Sequence, residues 1–335
     1  MTRISHMLRC AAAAIAAALF TACLASAPAQ AQGGFRPTEQ SVKEQQLLDA
    51  LKPGNTVGGR VSIPDEKSAI LIQPEGRDWQ AFRRGTLPTT GAIAILGMLA
   101  LLGVFFLVRG RIRVEKGFSG RTVTRFASFD RFLHWMTASC FIVLALTGLN
   151  ITFGKPLIAP LIGENAFGTL SSWGKFAHNY LAFPFMLGVA VMFLHWVKDN
   201  IPGKIDIAWL KAGGGMLKNG EHPPAKRFNA GQKGIFWIVV IGGALMSFSG
   251  WTLLFPSGDI GELQWQSTLH GIVGMLFMAV MLAHIYIGSL GMEGAYDAMG
   301  TGEVDVNWAQ QHHSLWLEEQ QKKAGKAPKG AVPAE

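Results

Sequence analysis

The sequence has only three cysteines, Cys10, Cys23 and Cys140, and none of them forms a CxxC or CxxCH spacing. Covalent attachment of a c-type haem and a cysteine-held iron–sulfur cluster are both excluded within this chain. Cys140 falls in an apolar run, where a free thiol packs as a small hydrophobe. Charged residues are also few, 16% of the chain against 49% hydrophobic, with a mean hydropathy of +0.26. That balance excludes an ordinary soluble domain and describes a chain that crosses a membrane several times. The formal charge of +8 does not signal nucleic acid, because the Lys and Arg residues flank apolar runs. There is no internal repeat and no pair of Gly/Pro-broken spans, which argues against a transporter with an intramembrane histidine relay. The nine histidines are too dispersed for one tetrahedral zinc site.

What is present reads in order. Arg3 and Arg9 precede an Ala-rich run from Cys10 to Leu24, and Ala29-Gln30-Ala31 supplies an A-x-A site, so residues 1–31 read as a signal peptide. Phe20-Thr21-Ala22-Cys23 is a poor lipobox. Residues 32–88 are polar and rich in Gly and Pro, a small periplasmic extension that touches a partner or serves as a tether. Within it, Ser41-x-x-Glu44 could open a short helix to Leu51, and Val57–Ile63 and Ala69–Gln73 resemble strands.

Five apolar runs follow, about Gly91–Val108, Phe132–Phe153, Tyr180–Val197, Gly234–Phe255 and Trp265–Met292, each long enough to span a bilayer core. The expected fold is an all-α membrane protein, a transmembrane bundle with one extra helix over residues 89–110 ahead of a domain over 120–320. Residues 321–335 are expected to form a disordered cytoplasmic tail. Connections 109–130 and 198–233 carry six and seven Lys/Arg; 154–179 carries two, Lys155 and Lys175, and 256–264 none. The positive-inside rule therefore places the first two in the cytoplasm of a bacterial inner-membrane protein. The mature N-terminus is then periplasmic and the C-terminus cytoplasmic.

The last run carries His270 and His284. Fourteen residues separate them, roughly 21 Å along the axis, and fourteen steps of about 100° bring both to one face. Ionisable side chains at that depth are costly and point to function, the alternative being histidines hydrogen-bonded to other helices. His134 opens the second span at the cytoplasmic side, and His178 opens the third at the periplasmic side. Depth pairs His134 with His284 and His178 with His270. Two stacked bis-histidine sites are what two b-type haems need. Gly148, Gly188, Gly242, Gly243, Gly271 and Gly274 could let flat macrocycles lie against backbone, or serve ordinary helix packing. His195, seventeen residues after His178, points about 100° away and reads as interfacial. His222, His312 and His313 fall in loops and are expected to be solvated.

Asp130-Arg131-Phe132-Leu133-His134-Trp135, Thr147-Gly148-Leu149-Asn150, Gly174-Lys175-Phe176-Ala177-His178-Asn179, Asn200-Ile201-Pro202 and Asn229-Ala230-Gly231-Gln232-Lys233 together resemble the cytochrome b (gamma) subunit of respiratory formate dehydrogenase. The His270/His284 spacing and Trp308 with His312-His313 add to the likeness, which spans residues 120–320. The resemblance implies a four-helix dihaem core with His134, His178, His270 and His284 as axial iron ligands of two haems b. It implies a quinone, menaquinone or ubiquinone, beside Asn229, Gly231, Gln232 and His284. Its partners would be an iron–sulfur (beta) subunit and a molybdenum or tungsten catalytic (alpha) subunit of formate dehydrogenase. The chain itself would pass electrons, without oxidising formate, and contribute to proton motive force. A nickel–iron hydrogenase cytochrome b is the neighbouring reading. Without the resemblance, Asn229–Lys233 reads as a helix-opening turn with a basic anchor.

Overall fold

The computed structural model describes residues 74–215 and 222–326. The expected signal peptide, the helix at 41–51 and both strands of the extension lie outside these residues, as do residues 327–335. From Glu75 onward the chain forms one unit.

Its helices are α1 (Pro74–Ala81), α2 (Leu87–Arg109), α3 (Ser128–Leu157), α4 (Ala159–Ile162), α5 (Glu164–Trp196), α6 (Lys204–Lys211), α7 (Ala230–Leu254) and α8 (Ile260–Tyr286). Three short helices close the chain: α9 (Asp297–Gly300), α10 (Val306–His312) and α11 (Ser314–Lys326). Among the described residues, five segments are long and apolar enough to cross a membrane. Away from its contacts with α8, α2 leaves its apolar side chains bare, Leu107 being 84% exposed. Bare apolar surface of that extent belongs against lipid tails. The all-α bundle read from the sequence is thus the observed fold.

Three stretches differ from expectation. Residues 74–88, assigned to the extension, are helical: α1 continues through a π turn, Phe82–Thr86, into α2. Pro88 in the first turn of α2 has no N–H to donate and its ring needs room behind it, which suits a widened turn at that point. Likewise α3 reaches Leu157 and α5 starts at Glu164, so most of the connection expected over 154–179 is helix. In the tail, residues 321–326 belong to α11.

Helices α3, α5, α7 and α8 pack around a central core of Cys140, Phe185, Val189, Phe277 and Met281. Phe141 packs its ring against Phe277 at 5.0 Å and Phe185 at 6.3 Å. Phe277 lies seven residues from both His270 and His284, so this aromatic layer sits midway between them. Gly188 and Gly243 allow the close helix approach: a Cβ at Gly188 would strike Thr137, and one at Gly243 would come 2.9 Å from Val189.

A second core gathers at the His134 end of the bundle, where Phe126, Leu133, Trp196, Phe228 and Phe236 meet Val304, Trp308, Trp316 and Leu317. A short antiparallel ribbon, β1 (Thr122–Thr124) with β2 (Glu303–Asp305), pairs Val123 with Val304. Each large apolar side chain sealed there contributes about 1.5–3 kcal/mol, enough to bind the C-terminal segment to the bundle.

Candidate functional site

Two pairs of imidazoles stand on facing helices. His134 of α3 faces His284 of α8, ring centroids 6.2 Å apart with planes at 61°. His178 of α5 faces His270 of α8, with the same 6.2 Å and 61°. Metal–imidazole bonds of about 2.0–2.1 Å, plus about 1.2 Å from nitrogen to ring centre on each side, would span roughly 6.4–6.6 Å between ring centres. Both pairs are thus spaced so that one metal ion could be held between their nitrogens.

At the His178/His270 pair the ligand nitrogens are prepared. Thr147 Oγ1 donates to the Val143 carbonyl at 2.8 Å, leaving its lone pair to accept His178 Nδ1–H at 2.8 Å. Ser249 Oγ likewise donates to the Leu245 carbonyl at 2.7 Å and accepts His270 Nδ1–H at 2.9 Å. With Nδ1 protonated in both rings, the Nε2 lone pairs are free for a metal. The residue after each hydroxyl is a glycine. A Cβ at Gly148 would come 3.8 Å from His178 Cε1, and one at Gly250 3.3 Å from His270 Cε1. Each position thus leaves open the space beside an imidazole that a macrocycle would cover. A cavity of about 780 Å³, lined in part by His178, His270, Gly148 and Gly250, adjoins the pair. That volume is ample for a large planar cofactor.

Gly148 alone of the six glycines singled out from sequence lies against a paired histidine. Gly242 packs on Phe277, Gly271 on Leu87 and Gly274 on Met246, while Gly188 and Gly243 serve helix packing. Gly250 was missed, although the repeated hydroxyl–glycine pair, Thr147-Gly148 and Ser249-Gly250, was a readable signal.

At the other end His134 Nδ1 is buried with no hydrogen-bond partner among the described residues. One turn earlier, Asp130 opens α3, its Oδ2 accepting the Ala127 N–H at 2.9 Å. Its Oδ1 accepts from His195 Nε2 and Trp196 Nε1, both at 2.9 Å. His195 thus has a carboxylate partner and belongs to neither ring pair.

The residues Asn229, Gly231, Gln232 and Lys233 form the start of α7. Asn229 Oδ1 accepts the Gln232 N–H at 2.9 Å, and Gln232 Oε1 accepts the Asn229 N–H at 3.1 Å, a reciprocal capping box. Lys233 turns inward to Asp206 Oδ2 at 2.8 Å and the Ile201 carbonyl at 3.0 Å. Gly231 is exposed, with Trp209 of α6 leaning over it: a Cβ there would meet the indole at 3.1 Å.

The expectation of solvated His312 and His313 is overturned. His313 is 1% exposed, its Nδ1–H donating to the Lys226 carbonyl at 2.8 Å while Nε2 accepts from Arg125 Nη2 at 3.0 Å. His312 is also buried, its ring 5.7 Å from that of the half-buried His222. Loop position misled because the C-terminal segment folds back into the second core. Arg125 lies among Phe126, Trp308 and Trp316 at 5.1–5.5 Å, a cation set over aromatic faces. Burial first, then Arg227, brings Arg125 down to about 9, so it stays charged at neutral pH. Burial, with His222 and Arg125 adding to it, lowers His312 to about 3, and burial beside Arg125 holds His313 well below the ordinary histidine value.

Both folded values lie below the unfolded value of 6.5, so the folded state is fully favoured above that pH. For His312, stability is lost at up to about 1.4 kcal/mol per unit as the pH falls from 6.5 toward about 3, and His313 acts in the same direction. Hydrogen-exchange protection of residues 303–317, corrected for the slower intrinsic exchange at low pH, should therefore fall between pH 7 and pH 5; unchanged protection would contradict the buried neutral pair.

Residues 125–302 match the prokaryotic cytochrome b561 family, more than half of the chain. The chain belongs to this family. Among curated relatives, it is 28% identical over 215 residues to the cytochrome b556(Fdn) subunit of the nitrate-inducible formate dehydrogenase of Escherichia coli K12, covering 62% of this chain and 95% of that protein. It is 30% identical over 205 residues to the formate dehydrogenase cytochrome b556(fdo) subunit of the same organism, with 60% and 94% covered. The Haemophilus influenzae formate dehydrogenase cytochrome b556 subunit is 30% identical over 210 residues, 57% and 80% covered. The resemblance that the motifs carry is borne out by these relatives. Membership of the cytochrome b561 family implies b-type haem, and the donor set fits it: imidazole nitrogens in facing pairs, with a cavity beside His178 and His270. The residues before 125, with α1 and α2, lie outside the family match.

Proposed function

We propose that this cytochrome b is the membrane-anchoring, electron-transfer subunit of a formate dehydrogenase complex. It takes electrons from a periplasmic iron–sulfur partner, passes them through two haems b, and delivers them to quinone at the cytoplasmic side. The observation that carries this reading is the pair of matched imidazole couples, each at 6.2 Å, at opposite ends of one helix. The relatives' names support formate over hydrogen as the origin of the electrons.

Bound haem supplies one-electron exchange at its iron. His178 and His270 would hold one iron through Nε2, oriented by Thr147 and Ser249. His134 and His284 would hold the other. The packed rings of Phe141, Phe185 and Phe277 lie between them. Six and seven basic residues in connections 109–130 and 198–233 support placing the His134/His284 end on the cytoplasmic side. Protons for quinone reduction are then drawn from the cytoplasm, and the reaction contributes to proton motive force.

Quinone fits beside the start of α7. The oxygens of Asn229 and Gln232 are engaged in the cap, so their amide N–H groups are what can meet a quinone carbonyl. Asn229→Asp and Gln232→Glu keep the capping oxygen and remove that donor. Both variants should keep both haems reducible by formate through the intact complex while a quinone-analogue inhibitor binds several-fold more weakly, about 0.5–1.5 kcal/mol. If these residues only cap a helix, inhibitor titration gives wild-type affinity in both variants, and the quinone site is rejected.

A further inference from the structure

Helices α1 and α2 have no place in the family match, yet α2 is packed onto the helix that carries His270. Leu87, the first residue of α2, sits in the gap left by Gly271: a Cβ there would come 2.7 Å from the leucine. One turn further along both helices the roles reverse, and Met275 fills the gap left by Gly91, at 2.8 Å. At the far end Phe105 and Phe106 meet Tyr286 edge-on at 6.3 and 6.5 Å. These contacts advance together along the two chains, so α2 and α8 run parallel in a fixed register. The register carries the turns before Leu87 past His270, and there Trp79, Phe82, Arg83 and Leu87 line the cavity beside the His178/His270 pair.

The same cavity is lined by Lys155 and Lys175, both exposed, as is Arg83. The Arg83 guanidinium lies over the Trp79 ring at 5.3 Å, which holds it at the cavity. None of the three cations has a carboxylate partner in an ion pair among the described residues. A b-type haem brings two propionate carboxylates, which in an apolar cavity need cationic, hydrogen-bonding partners at the watery edge. An apolar cavity with axial histidines inside and three unpaired cations at its lining is built for such a ligand.

We propose that α1 and the start of α2 form a wall of the haem site at the His178/His270 end, with Arg83, assisted by Lys175 and Lys155, holding the haem propionates. The residues ahead of the family match thereby complete a cofactor site that the four-helix core leaves open on one side. This rests on the reading that a haem occupies that pair.

The test is an optical redox titration of the full-length chain in membranes, with the haem at this pair identified as the component absent from His178→Ala. A cation beside the propionates favours the reduced haem, so Arg83→Gln should lower the midpoint of that haem alone. The reduced-to-oxidised ratio at fixed potential should fall roughly three- to tenfold, about 30–60 mV for one electron. Arg83→Glu should lower it further or release that haem selectively. Two bound haems with unmoved midpoints in Arg83→Gln would overturn the proposal. If Arg83→Glu loses both haems it has misfolded, and Arg83→Gln decides alone. Wild-type protein with no component that depends on His178 would instead sink the haem reading itself.

Discussion

Replacing His178 or His270 with Ala should remove one haem and leave the spectrum of the other in place; replacing His134 or His284 should do the reverse. The expectation follows from the separation of the two couples along α8, with the Phe141, Phe185 and Phe277 layer between them. On the proposed ligand assignment, losing one imidazole would leave that haem with a single protein ligand, whereas the distant couple would keep both. The effect is all-or-none at one site, visible in reduced-minus-oxidised spectra. His195→Ala should spare both components, because His195 is bound to Asp130. A variant at His195 that loses one haem, or a single histidine variant that loses both while the fold survives, would refute the assignment of ligands.

The second large effect concerns Lys233. Its ammonium and the Asp206 carboxylate are 2.8 Å apart, with side chains only 9% and 11% exposed. Removing one partner strands a buried charge, which typically costs about 3–5 kcal/mol, whereas replacing both by apolar groups is often neutral. Lys233→Met should therefore destabilise the chain severely, seen as a large drop in thermal midpoint and in folded yield. Adding Asp206→Leu to it should restore most of the loss. A Lys233→Met variant as stable as wild type, or a double variant no better than the single one, would show that the pair does not hold α6 to α7.

That lysine also marks what the sequence could and could not say. The residues of the turn read, on their own, as a helix start with a basic anchor, and both features are present: Asn229 and Gln232 cap α7, and Lys233 is the anchor. What the anchor grips was hidden, because Asp206 lies in a separate short helix twenty-seven residues earlier. The five spans were legible because membrane insertion demands long apolar runs and leaves no other solution for the backbone. The partners His134/His284 and His178/His270 were legible because helical rise converts residue number into depth.

Contacts that depend on rotation about a helix, or on a chain folding back, were not legible. Ser249 and Gly250 bracket His270 only because α7 presents that face to α8, and hydropathy carries no rotation. His312 and His313 were read as solvated because polar, loop-like sequence resembles surface. Trp308, Trp316 and Leu317 drag that segment into the second core, and Arg125 then receives His313 as a partner. The all-α reading overlooked the β1–β2 ribbon for a related reason: three-residue strands carry too little alternation to be seen before their partners are known.

If each of the two histidine couples holds a haem, the purified chain carries two. Pyridine haemochrome analysis, scaled to protein by amino-acid analysis, counts them directly. About two haems b per chain are expected; one haem per chain, or none, would refute the assignment of a haem to each couple.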